Sequence, residues 1–305
     1  MSEKIFDLAI IGGGPAGLTA AQYGARAALS VLVIEGAMGG QALQISELEN
    51  YPGIFPHISG WDFSDKMKAQ AKEFGAVFKT GMVVSLTKQG SIFSIKCPDA
   101  DFCARAVILA TGCKPQHLGI PGEEEFAGKG VSYCATCDGP FFRNKRVCVI
   151  GGGDSAFEEA RFLANIANEV TLIHRRHEFR AQKAIVQRVA ENPKIKIKSG
   201  FVPLEIRGNG TVSSILLKNV DTGAEEVFGT NGVFIFAGLN ANTEIFTAIR
   251  TDERGFIITD ENMATSIKGL FCAGDVRSKP FRQVVTACGD GAIAAHSAER
   301  FLEES

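Results

Sequence analysis

Hydrophobic and polar positions follow one pattern that occurs twice along the chain. Residues 5–35 begin with an apolar run, pass through three glycines into an alanine-rich stretch, and end in a second apolar run. Residues 145–176 repeat this order. A short apolar run followed by a glycine turn and an amphipathic stretch predicts a strand, a turn and a helix. The pattern therefore predicts two βαβ units of about thirty residues each.

Each unit is followed by a segment that predicts a hairpin and then by an apolar strand that ends in glycine. In the first copy the hairpin turns at Gln89-Gly90 and the closing strand AVILATG ends at Gly112. In the second copy the hairpin turns at residues 208–210 and the closing strand GVFIFAG ends at Gly238. The shared order indicates that one ancestral module was used twice.

The glycines between strand and helix match the dinucleotide-binding fingerprint in both units. The matching residues are Gly12, Gly14 and Gly17 in the first unit and Gly151, Gly153 and Ala156 in the second. The first position makes a tight turn, the second lets the backbone approach a pyrophosphate, and the third lets helix and strand pack closely. The helix N-terminus offers unpaired N–H groups to the phosphates. One match is weak evidence, but two in this setting predict two dinucleotide sites.

The ends of the second strands predict different nucleotides. Glu35, in VLVIE, can accept hydrogen bonds from ribose hydroxyls and would repel a 2'-phosphate. TLIHRR places Arg175 and Arg176 where an acid would otherwise lie, and Arg180 follows. Guanidinium groups there favour a 2'-phosphate, although a solvated basic face is the alternative. These differences predict FAD in the first module, NADPH in the second, and hydride chemistry.

The last 240–305 segment is too short for a large core of its own and is expected to complete the first module. The predicted fold class is α/β, with two Rossmann-like dinucleotide-binding domains of the three-layer ββα type. A discontinuous FAD domain would comprise 1–113 and 240–305, and the NADPH domain, 114–239, would be inserted in it. The chain then crosses twice, near 112–116 and 239–243, and two short crossings can form a hinge.

Cys134 and Cys137 are separated by two residues in YCATCDG, a spacing typical of half a zinc site, a structural staple or a redox couple. The sequence contains no second close pair of this kind, which argues against structural zinc and leaves no metal site predicted. Cys148 and Cys272 lie in apolar runs, where a small buried hydrophobe is expected. Eight cysteines are sparse for a secreted disulfide scaffold of 305 residues.

Composition excludes several function classes. With 45% hydrophobic and 22% charged residues, the chain reads as a soluble globular protein. A net charge of -2 argues against a nucleic-acid or anionic-membrane binder. No apolar window reaches the roughly 18 residues of a membrane span, and charges and glycines interrupt the N-terminal apolar run, unlike a signal peptide. We expect a cytoplasmic protein without nucleic-acid or membrane partners.

Specific stretches throughout the chain match one family. They are GGGPAGLTAA, GGQ, ENYPG, ATG, LGIPGE, YCATCDGPFF, GGGDSAFEEA, HRRHEFRA and AGDVRSKPFRQVVTACGDGAIAA. In these the sequence resembles the bacterial low-molecular-weight thioredoxin reductases, class II pyridine nucleotide-disulfide oxidoreductases, along essentially its whole length. Its departures are Ala241, where the family often has proline, Cys113, where a smaller residue is usual, and an extra residue or two in YPGIFPHISG.

The resemblance implies the residues that hold the cofactors. Those implied for FAD are Gly12, Gly14, Pro15, Ala16, Gly17, Glu35, Gly40, Gln41, Asn50, Val83, Ala110, Thr111, Gly112, Asp275, Arg282, Gln283 and Val284. Those implied for NADPH are Gly153, Asp154, Ser155, His174, Arg175, Arg176 and Arg180. Asp275 ends a predicted strand, where it can meet ribityl hydroxyls, and the positive end of a helix beginning near Gln283 would stabilise reduced flavin.

The resemblance also implies the reaction. Hydride passes from NADPH to FAD, two electrons reach a Cys134–Cys137 disulfide, and the dithiol exchanges with thioredoxin. Cys137 then faces the flavin and Cys134 attacks the substrate. Asp138 is expected to supply or remove a proton, with a turn residue as the alternative. Disulfide and nicotinamide lie in one module, so we expect that module to rotate; the family further implies a homodimer.

Two other functions stay open at this point. One is a flavoprotein reductase that feeds a peroxidase or another thioredoxin-like partner, which normally uses NADH. The other is a non-catalytic FAD-binding interaction protein. The second is disfavoured because it would need neither the paired cysteines nor Arg175 and Arg176.

Overall fold

The computed structural model describes residues 5–36, 38–45, 47–245 and 248–304, without the side chains of Gln44 and Cys137. The chain divides into two compact units. Unit 1 is Met1–Lys114 with Asn240–Ser305, and unit 2 is Pro115–Leu239. The first boundary lies one residue beyond the predicted one. Within the described residues no helix is long and apolar enough to cross a membrane.

Unit 1 is built on a sheet in which parallel and antiparallel strands meet. Its strands are β1 (Ile5–Ile11), β2 (Val31–Glu35), β3 (Val77–Thr80), β4 (Ser85–Gln89), β5 (Ile92–Lys96), β6 (Asp101–Leu109) and β17 (Leu270–Cys272). Its helices are α1 (Pro15–Arg26), α2 (Gly60–Glu73) and α6 (Val284–Glu303), with a 3-10 turn at Gly40–Gln44. The strand order is β3-β2-β1-β6-β5-β4, with β17 beside β6. β1 runs parallel to β2 and β6, which places their carboxyl ends at one edge.

Both faces of the parallel strands in unit 1 are covered, which explains their nearly continuous apolar sequences. Leu8 and Ile10 face the alanine-rich surfaces of α1 and α6. Those helices approach closely, because a Cβ on Gly291 would lie 2.2 Å from the carbonyl oxygen of Ala16. The opposite face, with Ile34, packs against residues of the β4–β5 hairpin and of the C-terminal segment. The core therefore lies on both sides of the sheet.

Unit 2 has three layers. Its strands are β8 (Val131–Ser132), β9 (Arg146–Gly151), β10 (Glu169–His174), β11 (Ile195–Ser199), β12 (Phe201–Asn209), β13 (Thr211–Asn219), β14 (Glu225–Gly229) and β15 (Gly232–Phe236). Its helices are α3 (Ala135–Asp138), α4 (Asp154–Ala164) and α5 (Lys183–Ala190), with a 3-10 turn at Gly139–Phe142. The parallel sheet has the order β11-β10-β9-β15-β8, and β12-β13-β14 form a separate antiparallel sheet. Alternate β9 residues face α4 (Val149) and that second sheet (Ile150).

The two copies differ in how the hairpin is attached. In unit 1 the hairpin joins the main sheet, because the nine-residue β6 pairs with β5 through residues 101–104 and with β17 through 107–109. In unit 2 the closing strand β15 has only five residues; one edge pairs with β9 along its whole length, and the other pairs with β8 at Val233 and Phe234, so no part of β15 pairs with the hairpin. Its hairpin therefore forms its own sheet. Short strands β7 (Cys113–Pro115) and β16 (Leu239–Ala241) pair where the chain crosses between units.

Candidate cofactor sites and redox centre

The glycine turn between β1 and α1 leaves space at its second glycine. A Cβ on Gly12, where φ is +119°, would lie 2.1 Å from the carbonyl oxygen of Ala110, and a Cβ on Gly17 would lie 1.9 Å from that of Gly12. Internal packing thus requires both of these glycines. A Cβ on Gly14 would meet no atom within 4 Å, and φ there is −79°, so protein packing does not explain this glycine. No side chain caps α1, so its first N–H groups are available to an anion.

Glu35 lies at the end of β2 with only 3% of its surface exposed. One carboxylate oxygen pairs with the ammonium of Lys68 on α2. The other, Oε2, is buried and has no hydrogen-bond partner among the described residues. A buried unpaired carboxylate oxygen is costly, and a ribose hydroxyl would satisfy it. Lys68 was not predicted, because nothing in its local sequence links it to a residue 33 positions earlier.

Asp275, just after β17, presents a second buried oxygen, which has an ion-pair partner but no well-aligned hydrogen bond among the described residues. Burial raises the pKa of Asp275, and the nearby ammonium of Lys279 partly opposes this rise. Lys279 Nζ lies 3.4 Å from Asp275 Oδ1 and 3.0 Å from an oxygen of Asp290 on α6. Asp275 Oδ1 is buried and makes no hydrogen bond to a described residue. Lys279 and Asp290 therefore support the predicted ribityl-binding residue, and sequence reasoning missed both.

Asn50 and Gln283 meet although 233 residues separate them. Asn50 Nδ2 donates to Gln283 Oε1 over 2.9 Å. Gln283 is the N-cap of α6, as expected, and forms a capping box with Thr286. The backbone N–H of Thr286 is therefore already bound, so this helix end offers fewer free N–H groups than the sequence suggested.

The remaining predicted FAD residues lie around the same edge of the sheet. Thr111 Oγ1 donates to the carbonyl oxygen of Asn242, whose side chain donates back to that of Thr111. Gln41 Nε2 donates to the carbonyl oxygen of Cys113. Pro15 and Ala16 begin α1, and Gly40 lies beside Gly14. Ala110 and Gly112 follow β6, and Val83 is buried against the sheet. Val284 begins α6, and Arg282 donates to the carbonyl oxygen of Asp275.

The turn between β9 and α4 in unit 2 repeats the geometry of unit 1. A Cβ on Gly153 would meet no atom within 4 Å, and no side chain caps the helix that follows. Asp154 and Ser155 form its first turn. Asp154 accepts hydrogen bonds from the backbone and side chain of Gln182, which ties this turn to the segment before α5.

The structure corrects the predicted counterpart of Glu35 by one residue. In β9 and β10, Ile150 pairs with Ile173, as the corresponding residues do in β1 and β2. His174, not Arg175, therefore ends β10 at the position of Glu35. The likeness extends to packing, because a Cβ on Gly152 would lie 2.5 Å from His174 ring nitrogens, just as one on Gly13 would lie 2.4 Å from Glu35 Oε2.

The surroundings of His174 favour its neutral form and leave one ring nitrogen without a hydrogen bond to any described residue. Burial lowers the pKa of His174, and the charges of Arg180, Arg175 and Arg176 lower it further. Its Nε2 is buried without a hydrogen-bond partner among the described residues. The three arginines are exposed on the loop that follows, and the backbone N–H of Arg180 donates to the carbonyl oxygen of Gly152. The basic loop thus folds back over the glycine turn.

The redox centre follows β8. Cys134 is in a disulfide bond, which excludes a zinc ligand in this state; the side chain of Cys137 lies outside the described part of the chain. Ser132 Oγ lies 3.1 Å from both the backbone nitrogen and the carbonyl oxygen of Cys134. Asp138, half-buried, donates its backbone N–H to the same carbonyl oxygen over 3.2 Å. Cysteines that carry thiols are Cys97, Cys103, Cys113, Cys148, Cys272 and Cys288.

Comparison with known proteins identifies the family. A family model described as pyridine nucleotide-disulphide oxidoreductase matches residues 6–291. The chain belongs to this family. Thioredoxin reductase of Treponema pallidum is 49% identical over 302 residues, covering 99% of this chain and 98% of that protein. Thioredoxin reductase of Peptoclostridium acidaminophilum is 48% identical over 309 residues, with the same coverage.

Solved structures confirm the predicted fold class. The crystal structure of Lactococcus lactis thioredoxin reductase has a TM-score of 0.94 and 45% sequence identity, and the match covers 98% of this chain and 100% of that one. The mixed α/β architecture with two dinucleotide-binding domains is therefore established for this chain, and so is its resemblance to the bacterial thioredoxin reductases.

Proposed function

We propose that this protein is an NADPH-dependent flavoprotein that reduces the disulfide of thioredoxin. The observation that carries the proposal is the disulfide at Cys134 in unit 2, where the second strand of the nucleotide unit ends in His174 and is followed by a basic loop. A disulfide that can be reduced to a dithiol and then exchange with a substrate disulfide is what a thiol-disulfide reductase requires. The curated relatives with 46–49% identity carry the name thioredoxin reductase, which agrees with this function.

The residues of unit 1 fit FAD. Glu35 Oε2 and Asp275 Oδ1 are buried acceptors that need donors, and the hydroxyls of a ribose and a ribityl chain are donors of this kind. Gly14 and the uncapped start of α1 leave a pyrophosphate room and free N–H groups. When bound, FAD and NADPH supply a two-electron carrier and a hydride donor. The predicted assignment of 1–113 with 240–305 to FAD rests on this fit.

The residues of unit 2 fit NADPH. An uncharged His174 in the place of Glu35 keeps a polar atom for the ribose but does not repel a 2'-phosphate. Arg175, Arg176 and Arg180 then add guanidinium groups suited to that phosphate. We assign 114–239 to NADPH on this basis.

The protein's own chemistry is thiol-disulfide exchange. We propose Cys137 as the disulfide partner of Cys134. After two-electron reduction, the Cys134 thiolate attacks one sulfur of the thioredoxin disulfide; a mixed disulfide forms and the other thioredoxin sulfur leaves as a thiolate. The Cys137 thiolate then attacks Cys134, which releases the second thioredoxin sulfur and restores the enzyme disulfide. Asp138, whose backbone bonds Cys134, is proposed to exchange the proton with these sulfurs.

Three further features belong to this proposal. The inserted unit 2 rotates at its two crossings, so that disulfide and nicotinamide approach the flavin alternately. The enzyme acts as a homodimer. It works in the cytoplasm, where thiols such as the six described ones stay reduced.

Exchange of Cys134 for serine tests the function. Wild type is expected to reduce thioredoxin with NADPH, whereas Cys134→Ser loses this activity at least about 100-fold because no thiolate attacks the substrate. Both proteins should still lose their yellow flavin absorbance on addition of NADPH. Cys97→Ser, a half-buried thiol in unit 1, is the control and should keep full activity. Thioredoxin reduction by Cys134→Ser at the wild-type rate would contradict the assignment, and equal use of NADH would favour the peroxidase-feeding class.

A further inference from the structure

Tyr133, the residue directly before Cys134, is held by a buried carboxylate. Its hydroxyl donates to Glu123 Oε1 over 2.6 Å, and Glu123 is only 1% exposed. Glu123 also accepts the backbone N–H groups of Leu118 at 3.0 Å and Gly119 at 2.7 Å. Burial works against ionisation, but these hydrogen bonds hold the pKa of Glu123 below its usual value. An ionised Glu123 therefore joins the redox segment to residues 118–119.

His117 completes this cluster. Its Nδ1 lies 2.9 Å from the Tyr133 hydroxyl oxygen, and the two rings lie 4.8 Å apart. A tyrosine hydroxyl has one proton, and here it points to Glu123. The hydroxyl oxygen can therefore only accept from His117, so Nδ1 of that ring carries a hydrogen. The hydrogen bonds run in one direction, from His117 through Tyr133 to Glu123, an arrangement in which each bond polarises the next.

The cluster lies between the redox segment and the start of unit 2. The backbone N–H of Gln116 donates to the carbonyl oxygen of Gly238 over 2.9 Å, which fixes the residue next to His117. On the other side, Ser132 contacts both backbone polar atoms of Cys134. Tyr133 supplies the side-chain link between these two anchored stretches. The backbone before Cys134 is thus tied on both sides.

We propose, on the basis of the proposed function, that Tyr133 is a positioning residue for Cys134 and that Glu123 holds it in place. Thiol-disulfide exchange requires the attacking sulfur to approach along the disulfide axis of the substrate. A docked protein cannot reorient to meet a displaced sulfur, so a small displacement lowers the rate strongly. A small disulfide approaches freely and tolerates the displacement. The cluster therefore favours protein disulfides over small ones.

The variant Tyr133→Phe removes the hydroxyl and keeps the ring. Holoenzyme is assayed with NADPH and either thioredoxin or 5,5'-dithiobis(2-nitrobenzoate), and the rate at which NADPH bleaches the flavin is measured separately. We expect kcat/KM for thioredoxin to fall about tenfold, kcat/KM for the small disulfide to stay within about twofold, and flavin bleaching to be unchanged. Glu123→Gln, which removes the charge, should show the same selective loss. Glu125→Gln, an exposed neighbour, is the matched control and should behave as wild type.

Two results would overturn the inference. One is that Tyr133→Phe has the same kcat/KM for thioredoxin as wild type. The other is an equal loss with both disulfides, since general damage to unit 2 would lower both while positioning changes their ratio. Failure of the proposed function is distinct, because the wild-type enzyme would then not reduce thioredoxin with NADPH at all.

Discussion

Alanine at Gly14 is expected to weaken FAD binding strongly without destabilising the fold. Gly14 has φ −79° and ψ 179°, values that alanine adopts readily, and its Cβ would meet no protein atom within 4 Å. Losing a glycine where the conformation is compatible stabilises a protein by about 0.4–1 kcal/mol. The effect falls on the ligand, because the added methyl group occupies the side from which a pyrophosphate approaches the backbone.

The cost to FAD can be estimated from the hydrogen bonds at risk. A bond from a backbone N–H to a charged group contributes about 1.5–3 kcal/mol. Loss of one such bond would weaken binding about 10- to 100-fold. Flavin fluorescence titration of the apoprotein measures the dissociation constant, and urea unfolding of the apoprotein measures the free energy of unfolding.

Gly17→Ala is the matched comparison, because there the clash lies within the protein. Its Cβ would lie 1.9 Å from the carbonyl oxygen of Gly12, so α1 must move away from the end of β1. Overpacking of this kind costs about 1–3 kcal/mol, which lowers the melting temperature by roughly 2–12 °C. The two variants should therefore differ in apoprotein stability. Gly14→Ala that binds FAD as tightly as wild type, or unfolds as easily as Gly17→Ala, would refute the reasoning.

Three further outcomes are expected. Arg175→Ala combined with Arg176→Ala should raise the KM for NADPH about 10- to 100-fold and leave the KM for NADH within about twofold, as steady-state kinetics with both nucleotides will show. The stability that Glu123 contributes is present above its unfolded pKa and is lost as pH falls through its lowered folded pKa. Below about pH 4.5, the free energy of unfolding of wild type, measured by urea denaturation, should therefore fall more steeply with pH than that of Glu123→Gln. An equal fall in both proteins would contradict this. Burial raises the pKa of Cys113 to about 12, so iodoacetamide should not label it at pH 8 and Cys113→Ala should turn over thioredoxin within about twofold of wild type.

The parallel cores and the two nucleotide turns could be predicted because their signals are local. A buried parallel strand such as β2 is apolar over most of its length, and the first four residues of VLVIE show this directly. The roles of Gly12 and Gly17 follow from their spacing, and the clashes that a Cβ would cause there agree with those roles. The order of strand, turn and helix was enough to find the repeat.

Polar contacts between distant segments could not be predicted. Lys68 reaches Glu35 from a helix whose sequence pattern reports only which face is buried. Asp290 lies in an alanine-rich helix and binds Lys279, an ion pair that has no periodicity in the sequence. The separate sheet of unit 2 depends on the length of β15. The sequence GVFIFAG marks where this strand ends but does not show that it is too short to pair with the hairpin as well. Such features arise from packing rather than from local pattern.

The one-residue correction at His174 changes how the two sites are understood to have diverged. Gly13 and Gly152 each pack against the side chain that ends the second strand of their unit, so the duplicated module keeps one polar group against its turn. That group is a carboxylate in Glu35 and, in His174, an imidazole whose lowered pKa favours the neutral form. A carboxylate at the position of His174 would repel a 2'-phosphate. The arginines of the loop would then have to bind the phosphate against that buried negative charge. In the proposed function, the loss of that charge at His174 would let the exposed arginines of the following loop select the phosphorylated nucleotide.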